Sequence, residues 1–216
     1  MQQLSLEVIL VILVNVLVSI KGFNDFSFFE RYKFNIASIQ KGEYIRYLSA
    51  AFLHANFTHL FFNLFTLYMF ANVVVAYMGS INFLIIYFVS LFVGNFLAYF
   101  FHKHQPYYSA IGASGAVTGI LYAAILLEPN MSLYLFFIPI PIPAYIFGIG
   151  YLFYSIYGMK KQMGNIGHDA HFGGAVGGYF TTLLIWPALL FDRLGMVVLL
   201  AIPIIALFYL IKTNKL

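Results

Sequence analysis

The sequence predicts an all-α membrane protein, a polytopic helical bundle. Three observations carry this. Hydrophobic residues make up 62% of the 216 and charged residues only 8%, where a soluble domain has roughly a quarter charged. Seven apolar runs follow one another at about 4–20, 52–78, 81–101, 112–128, 143–158, 170–190 and 195–211, each of about 17 residues or more and so long enough to cross a bilayer core. Most connections between them are short. Lipid-exposed backbone must satisfy its own hydrogen bonds, which helices do, so the runs read as one bundle over 1–216 with no room for a second domain.

The elements follow in order. Nothing basic precedes the first run and no small-residue cleavage site follows it, so it reads as a retained helix with Glu7 near its membrane boundary. The connection 21–51 is polar, yet it carries Phe23, Phe26, Phe28, Phe29, Tyr32, Phe34, Tyr44 and Tyr47. That is an interfacial element with rings at headgroup depth rather than a solvated linker. In 129–143, the stretch Phe136 to Pro143 is apolar but carries proline at every second position from Pro139, which excludes a regular helix interior and leaves an extended lead-in to the fifth helix. Residues 159–169, rich in glycine and polar groups, are a candidate mobile cap. Pro203 is a candidate kink in the last helix.

Composition also excludes function classes. With no cysteine there is no thiol nucleophile, disulfide or thiolate metal site. His-Glu-x-x-His and a paired intramembrane aspartate are missing, so no metal or other cofactor is expected. The net charge of +4 comes from loops without an aromatic-interleaved basic stripe, so nucleic acid is not an expected partner. Buried His and Asn could line a transporter path, but the two halves of the chain show no matching broken helices.

Polar groups inside apolar segments are costly and therefore functional candidates. Ser114 begins the fourth segment between Gly112 and Gly115. A serine there is often only an N-cap, but these glycines permit close backbone approach, and a helix N-terminus offers free N–H groups to a developing oxyanion. His171 begins the sixth segment, followed by Gly173, Gly174, Gly177 and Gly178. The pairs 173/177 and 174/178 make a face for close helix approach, and Gly115 with Gly119 is a matching pair. If these faces meet, His171 and Ser114 share one depth, and the base activates the hydroxyl. His59 and Asn63, four apart, share a helix face; both can aim donors at one oxyanion, although buried Asn is also common interhelical glue. His54 lies on another part of that surface and reads as structural, tying the preceding loop to the helix. Arg46 either anchors the first loop through backbone carbonyls or lipid phosphate, or snorkels at the interface. His102 and His104 read as solvated, and His168 and Asp169 as pointing away from His171, with Asp169 as third triad member a minor alternative.

These residues, in this order, resemble the rhomboid family of intramembrane serine proteases. The likeness runs from about Gly42 to Gly178. It rests on Gly42-Glu43-Tyr44-Ile45-Arg46, Phe52-Leu53-His54-Ala55-Asn56-Phe57-Thr58-His59-Leu60-Phe61-Phe62-Asn63, Gly112-Ala113-Ser114-Gly115-Ala116, and Gly167-His168-Asp169-Ala170-His171-Phe172-Gly173-Gly174. The resemblance implies a Ser114–His171 dyad without an essential Asp, and an oxyanion hole of His59, Asn63 and the Ser114 N–H. It implies cleavage of transmembrane protein substrates near the membrane surface. It also implies a six-helix core over about 4–190, with 195–211 as an extra C-terminal helix. Three positions depart from the pattern. Thr118 stands where an aromatic ring is expected to pack on the catalytic histidine, Ile45 stands where Trp is expected before Arg46, and Val75 lies near an expected acidic residue.

Orientation is contested. The side holding the first, third and fifth loops and the C-terminus carries every Lys and Arg but Arg193, which the positive-inside rule would place in the cytoplasm. The family resemblance puts that side outside and is preferred, because half of those charges lie in the interfacial loop. The expected location is a bacterial cytoplasmic membrane. The rival reading is a catalytically silent relative that binds transmembrane clients.

Overall fold

The computed structural model of the chain describes residues 4–135, 138–161 and 167–215. Helix α1 (Leu6–Asn24) is capped by Ser5, whose hydroxyl accepts from the Val8 N–H. Its outward face is exposed and apolar, with Leu6, Leu10, Leu13 and Leu17 all more than 40% accessible, as lipid contact requires. The helix turns its polar residues inward. Asn15, fully buried, donates to the Val11 carbonyl and the Tyr87 hydroxyl.

The first connection folds as short pieces: α2 (Phe26–Tyr32), β1 (Phe34–Asn35), α3 (Ile36–Gln40), α4 (Arg46–Ser49) and a single 3-10 turn over Ala50–Phe52. Arg46 decides its shape. The side chain is 6% exposed; Nη1 donates to the carbonyls of Glu30 (2.9 Å) and Lys33 (2.7 Å), while Nε and Nη2 meet the Glu43 carboxylate at 2.7 Å. Of the readings open for Arg46, the backbone-carbonyl anchor is the one present.

Helix α5 (Phe57–His102) is 46 residues long, roughly 69 Å at ~1.5 Å per residue and about twice a bilayer core. Gly79, at φ 80° and ψ 165°, breaks it. His59 in the first turn packs on Gly112 and His102 in the last pairs with Asp169; both partners lie at the same end of the molecule, so the chain doubles back at Gly79. Strand β2 (Ser109–Ala110) pairs antiparallel with β1 and ties the first connection to the third.

Helix α6 (Ser114–Leu127) follows, buried on every side from Gly115 onward. Its 14 residues span only about 21 Å, less than the ~30 Å core, so the helix is shorter than the apolar run 112–128 and too short to cross the core by itself. Two strands come next, β3 (Ser132–Leu135) and β4 (Ile138–Pro143), paired antiparallel. The proline-rich stretch is extended, as its prolines require, but as half of a hairpin rather than a simple lead-in; residues 136–137 lie outside the described residues. Helices α7 (Ala144–Lys161), α8 (His168–Ile185), α9 (Leu189–Asp192) and α10 (Leu194–Lys212) complete the order. Of the candidate cap 159–169, residues 162–166 lie outside the described residues. Helix α10 runs on through Pro203.

The core is a three-helix junction of α6, α8 and the second half of α5, made possible by glycine. A Cβ on Gly174 would lie 1.9 Å from the Gly115 carbonyl oxygen, and one on Gly178 2.1 Å from that of Gly119. On the other face of α8, Gly173 and Gly177 meet Gly94 and Ser90 backbone atoms at 2.8 Å in the same sense. The two overlapping small-residue pairs therefore serve two different neighbours. Helix α7 joins this junction through Tyr122, whose hydroxyl donates to the Gly148 carbonyl at 2.6 Å. Helix α10 is held by the Tyr179 hydroxyl, which donates to the Val197 carbonyl.

Candidate active site

The close packing of α6 on α8 fixes what their first turns present to each other. Ser114 is the first residue of α6, and His171 stands in the first turn of α8 with its N–H bonded to the Gly167 carbonyl. Ser114 Oγ and His171 Nε2 are 2.6 Å apart. The N-cap of α6 is Ala113 and carries no side-chain cap bond, so the capping role considered for Ser114 is replaced by the contact to His171. As the first helical residue, Ser114 keeps a backbone N–H with no intrahelical acceptor, at the positive end of the helix dipole.

Gly112 makes the turn into this helix. Its φ of 117° is one that side chains rarely adopt, and a Cβ there would sit 2.8 Å from the His59 ring. Glycine is thus required by both backbone and neighbour. The His59 ring is half-buried against it, with Nδ1 accepting from the Ala55 N–H at 3.4 Å. Asn63, one turn on, spends one amide hydrogen on the His59 carbonyl at 3.0 Å; its amide nitrogen carries a second donor. Ser114, His171, His59 and Asn63 all line one cavity of ≈ 520 Å³, walled by Phe62, Thr118, Phe147, Tyr151 and others. The four residues singled out in the sequence are brought together.

His54 is fully buried behind them. Its Nε2 accepts from the Ala113 N–H at 3.4 Å, so Nδ1 carries the proton and donates to Ser19 Oγ at 2.8 Å, and Ser19 donates in turn to the Phe52 carbonyl. Burial, with His59 nearby, pushes the His54 imidazole down to about 3, holding it neutral. These bonds tie α1 to the loop that leads into α6.

One bystander reading needs correction. His102 is not solvated: its Nε2 lies 3.1 Å from the buried Asp169 carboxylate, and its ring stacks on Tyr108 at 3.6 Å. Histidine and aspartate far apart in sequence pair here because the end of α5 meets the start of α8. Asp169 is therefore committed to His102, with the Tyr108 hydroxyl at 3.4 Å, and not to His171. His168 is buried against Gly158 and the Tyr154 ring, whereas His104 is exposed. Among the described residues, no cluster of three His, Cys, Asp or Glu could hold a metal ion.

One site residue went unread in the sequence. Tyr151, on α7, brings its hydroxyl to 2.7 Å from His171 Nδ1, and its ring stacks near the imidazole at 5.8 Å and 25°. Thr118, by contrast, bonds back to the Ser114 carbonyl at 2.7 Å.

A family model described as the Rhomboid domain matches residues 41–188, more than half of the chain. The rhomboid protease GluP of Bacillus subtilis is 33% identical over 144 residues, 66% of this chain and 26% of that protein. Mitochondrial rhomboid protein 1 of Saccharomyces cerevisiae is 28% identical over 137 residues, 62% of this chain and 40% of that one. RHOMBOID-like protein 12 of Arabidopsis thaliana, also mitochondrial, is 28% identical over 178 residues, 74% and 52% respectively. The chain spans about half or less of the length of these relatives. With its apolar helices and the extent of the match, the chain is an integral membrane protein that belongs to the rhomboid family.

Proposed function

We propose that this protein is an intramembrane serine endopeptidase that cleaves transmembrane protein substrates near the membrane surface. The observation that carries the reading is the 2.6 Å contact between Ser114 Oγ and His171 Nε2 inside a cavity lined by His59 and Asn63. In this reading Ser114 attacks the scissile carbonyl as His171 takes its proton. The resulting oxyanion is held by the Ser114 N–H, His59 and Asn63. His171 then returns the proton to the leaving amine, and a water activated by the same histidine releases the acyl-enzyme. His54 and Arg46 support the loops around the site, and Gly112, Gly115 and Gly174 allow its close packing. No cofactor enters the scheme.

The whole chain is proposed as one domain, with α10 (about 195–211) added to a core of about 4–190; α10 lies beyond the matched residues and packs on α7. Its proposed location is a bacterial cytoplasmic membrane, on the likeness to the Bacillus subtilis protease. The silent client-binding reading rested on Thr118, and Tyr151 against His171 supplies the missing ring from another helix.

The test is cleavage of single-span membrane proteins co-reconstituted in liposomes. Wild type should release fragments cut near one membrane face, and Ser114→Ala should release none while unfolding at the wild-type temperature. Cleavage by Ser114→Ala would sink the proposal.

A further inference from the structure

Resting on that reading, we propose that Tyr151 is the positioning residue of His171: its hydroxyl accepts from Nδ1–H and its ring backs the imidazole, which holds the tautomer the reaction needs. His171 Nδ1 lies 2.7 Å from the Tyr151 hydroxyl and Nε2 lies 2.6 Å from Ser114 Oγ. To take the Ser114 proton Nε2 must be bare, and a neutral imidazole with a bare Nε2 carries its proton on Nδ1. The Tyr151 hydroxyl has lone pairs that accept from that Nδ1–H, so the contact favours the reactive tautomer.

The ring completes the arrangement. Tyr151 stacks near His171, and Phe147, one turn earlier on α7, stacks on Tyr151 at 5.9 Å and 11°. An imidazole held at both nitrogens and backed by a ring cannot swing away from Ser114. Residue 118, which faces the same cavity, is thereby free to be a small hydroxyl residue rather than an aromatic.

The test uses purified full-length protein labelled with ¹⁵N-histidine, in detergent. Wild type should show His171 as a single Nδ1–H tautomer. Tyr151→Phe keeps the ring but removes the hydroxyl, and should give mixed tautomers with wild-type thermal unfolding. In parallel, the rate of Ser114 labelling by a fluorophosphonate probe should fall about tenfold in Tyr151→Phe, the worth of one hydrogen bond. A wild-type tautomer in Tyr151→Phe overturns the proposal, as does a wild-type labelling rate. A wild type that shows the single tautomer yet never labels leaves Tyr151's role standing and counts against the protease reading instead.

Discussion

Gly174→Ala puts the geometry of the dyad under direct strain. A Cβ there would lie 1.9 Å from the Gly115 carbonyl oxygen and 2.5 Å from its carbon. Both are backbone atoms that no rotamer change can move. Ordinary contact begins near 3.4 Å, so α6 and α8 must part by about 1.5 Å in a junction packed at crystal-like density. Gly115 adjoins Ser114, and Gly174 lies three residues beyond His171 on the same face. The 2.6 Å Ser114–His171 contact would therefore open to roughly 4 Å, past hydrogen-bond reach. A displacement of about 1 Å can cost a factor of ~100 in rate. Overpacking costs roughly 1–3 kcal/mol, offset by about 1 kcal/mol because alanine favours helix more than glycine. Stability should thus fall modestly while labelling of Ser114 by a fluorophosphonate falls about 100-fold. Gly195→Ala, where nothing lies within 4 Å of the added atom, is the control and should leave labelling unchanged. A Gly174→Ala protein that labels and unfolds like wild type would refute the claim that this approach sets the dyad.

Three further outcomes follow from named contacts. Asn63→Ala should slow labelling roughly 100-fold, the cost of one oxyanion donor, with a far smaller loss of unfolding temperature; equal loss in both would mark Asn63 as structural only. His54, held neutral with its titration pushed from 6.5 down to about 3, contributes stability that is complete above its unfolded value and is lost as pH falls below it. About 2 kcal/mol should be gone at pH 5, and thermal unfolding of His54→Gln should lack that part of the pH slope. Arg46→Ala leaves the Glu30 and Lys33 carbonyls without their buried donor and should cost about 3 kcal/mol, read as a lowered unfolding temperature; an unchanged one would deny the anchor.

What could be read in the sequence was whatever local chemistry made conspicuous. Ser114, His171, His59 and Asn63 stand out as polar groups in apolar runs, and the spacing of Gly173, Gly174, Gly177 and Gly178 announces a close helix contact before any partner is known. Tyr151 had no such signal. It is one of 17 tyrosines beside 25 phenylalanines, and only the packing of α7 on α8 singles it out. The ring beside His171 comes from α7 and not from the position four residues after Ser114. The pairing of His102 with Asp169 has no local signal either. Each looks ordinary at a segment end, and their pairing follows from α5 folding back at Gly79, a tertiary event. Hydropathy likewise overstated α6, because the turn at Gly112 is apolar without being helical. The hairpin of β3 and β4 was half legible: proline alternation dictates extension, but strand pairing depends on where the chain returns.

The central claim is that Ser114 is a nucleophile activated by His171. The most direct measurement is reaction of the purified protein with a fluorophosphonate, followed by peptide mapping of the adduct by mass spectrometry. Wild type should form one adduct, on Ser114, and His171→Ala, a variant that should still fold, none. An adduct that forms equally well without His171, or a folded wild type with no adduct on Ser114, would contradict it.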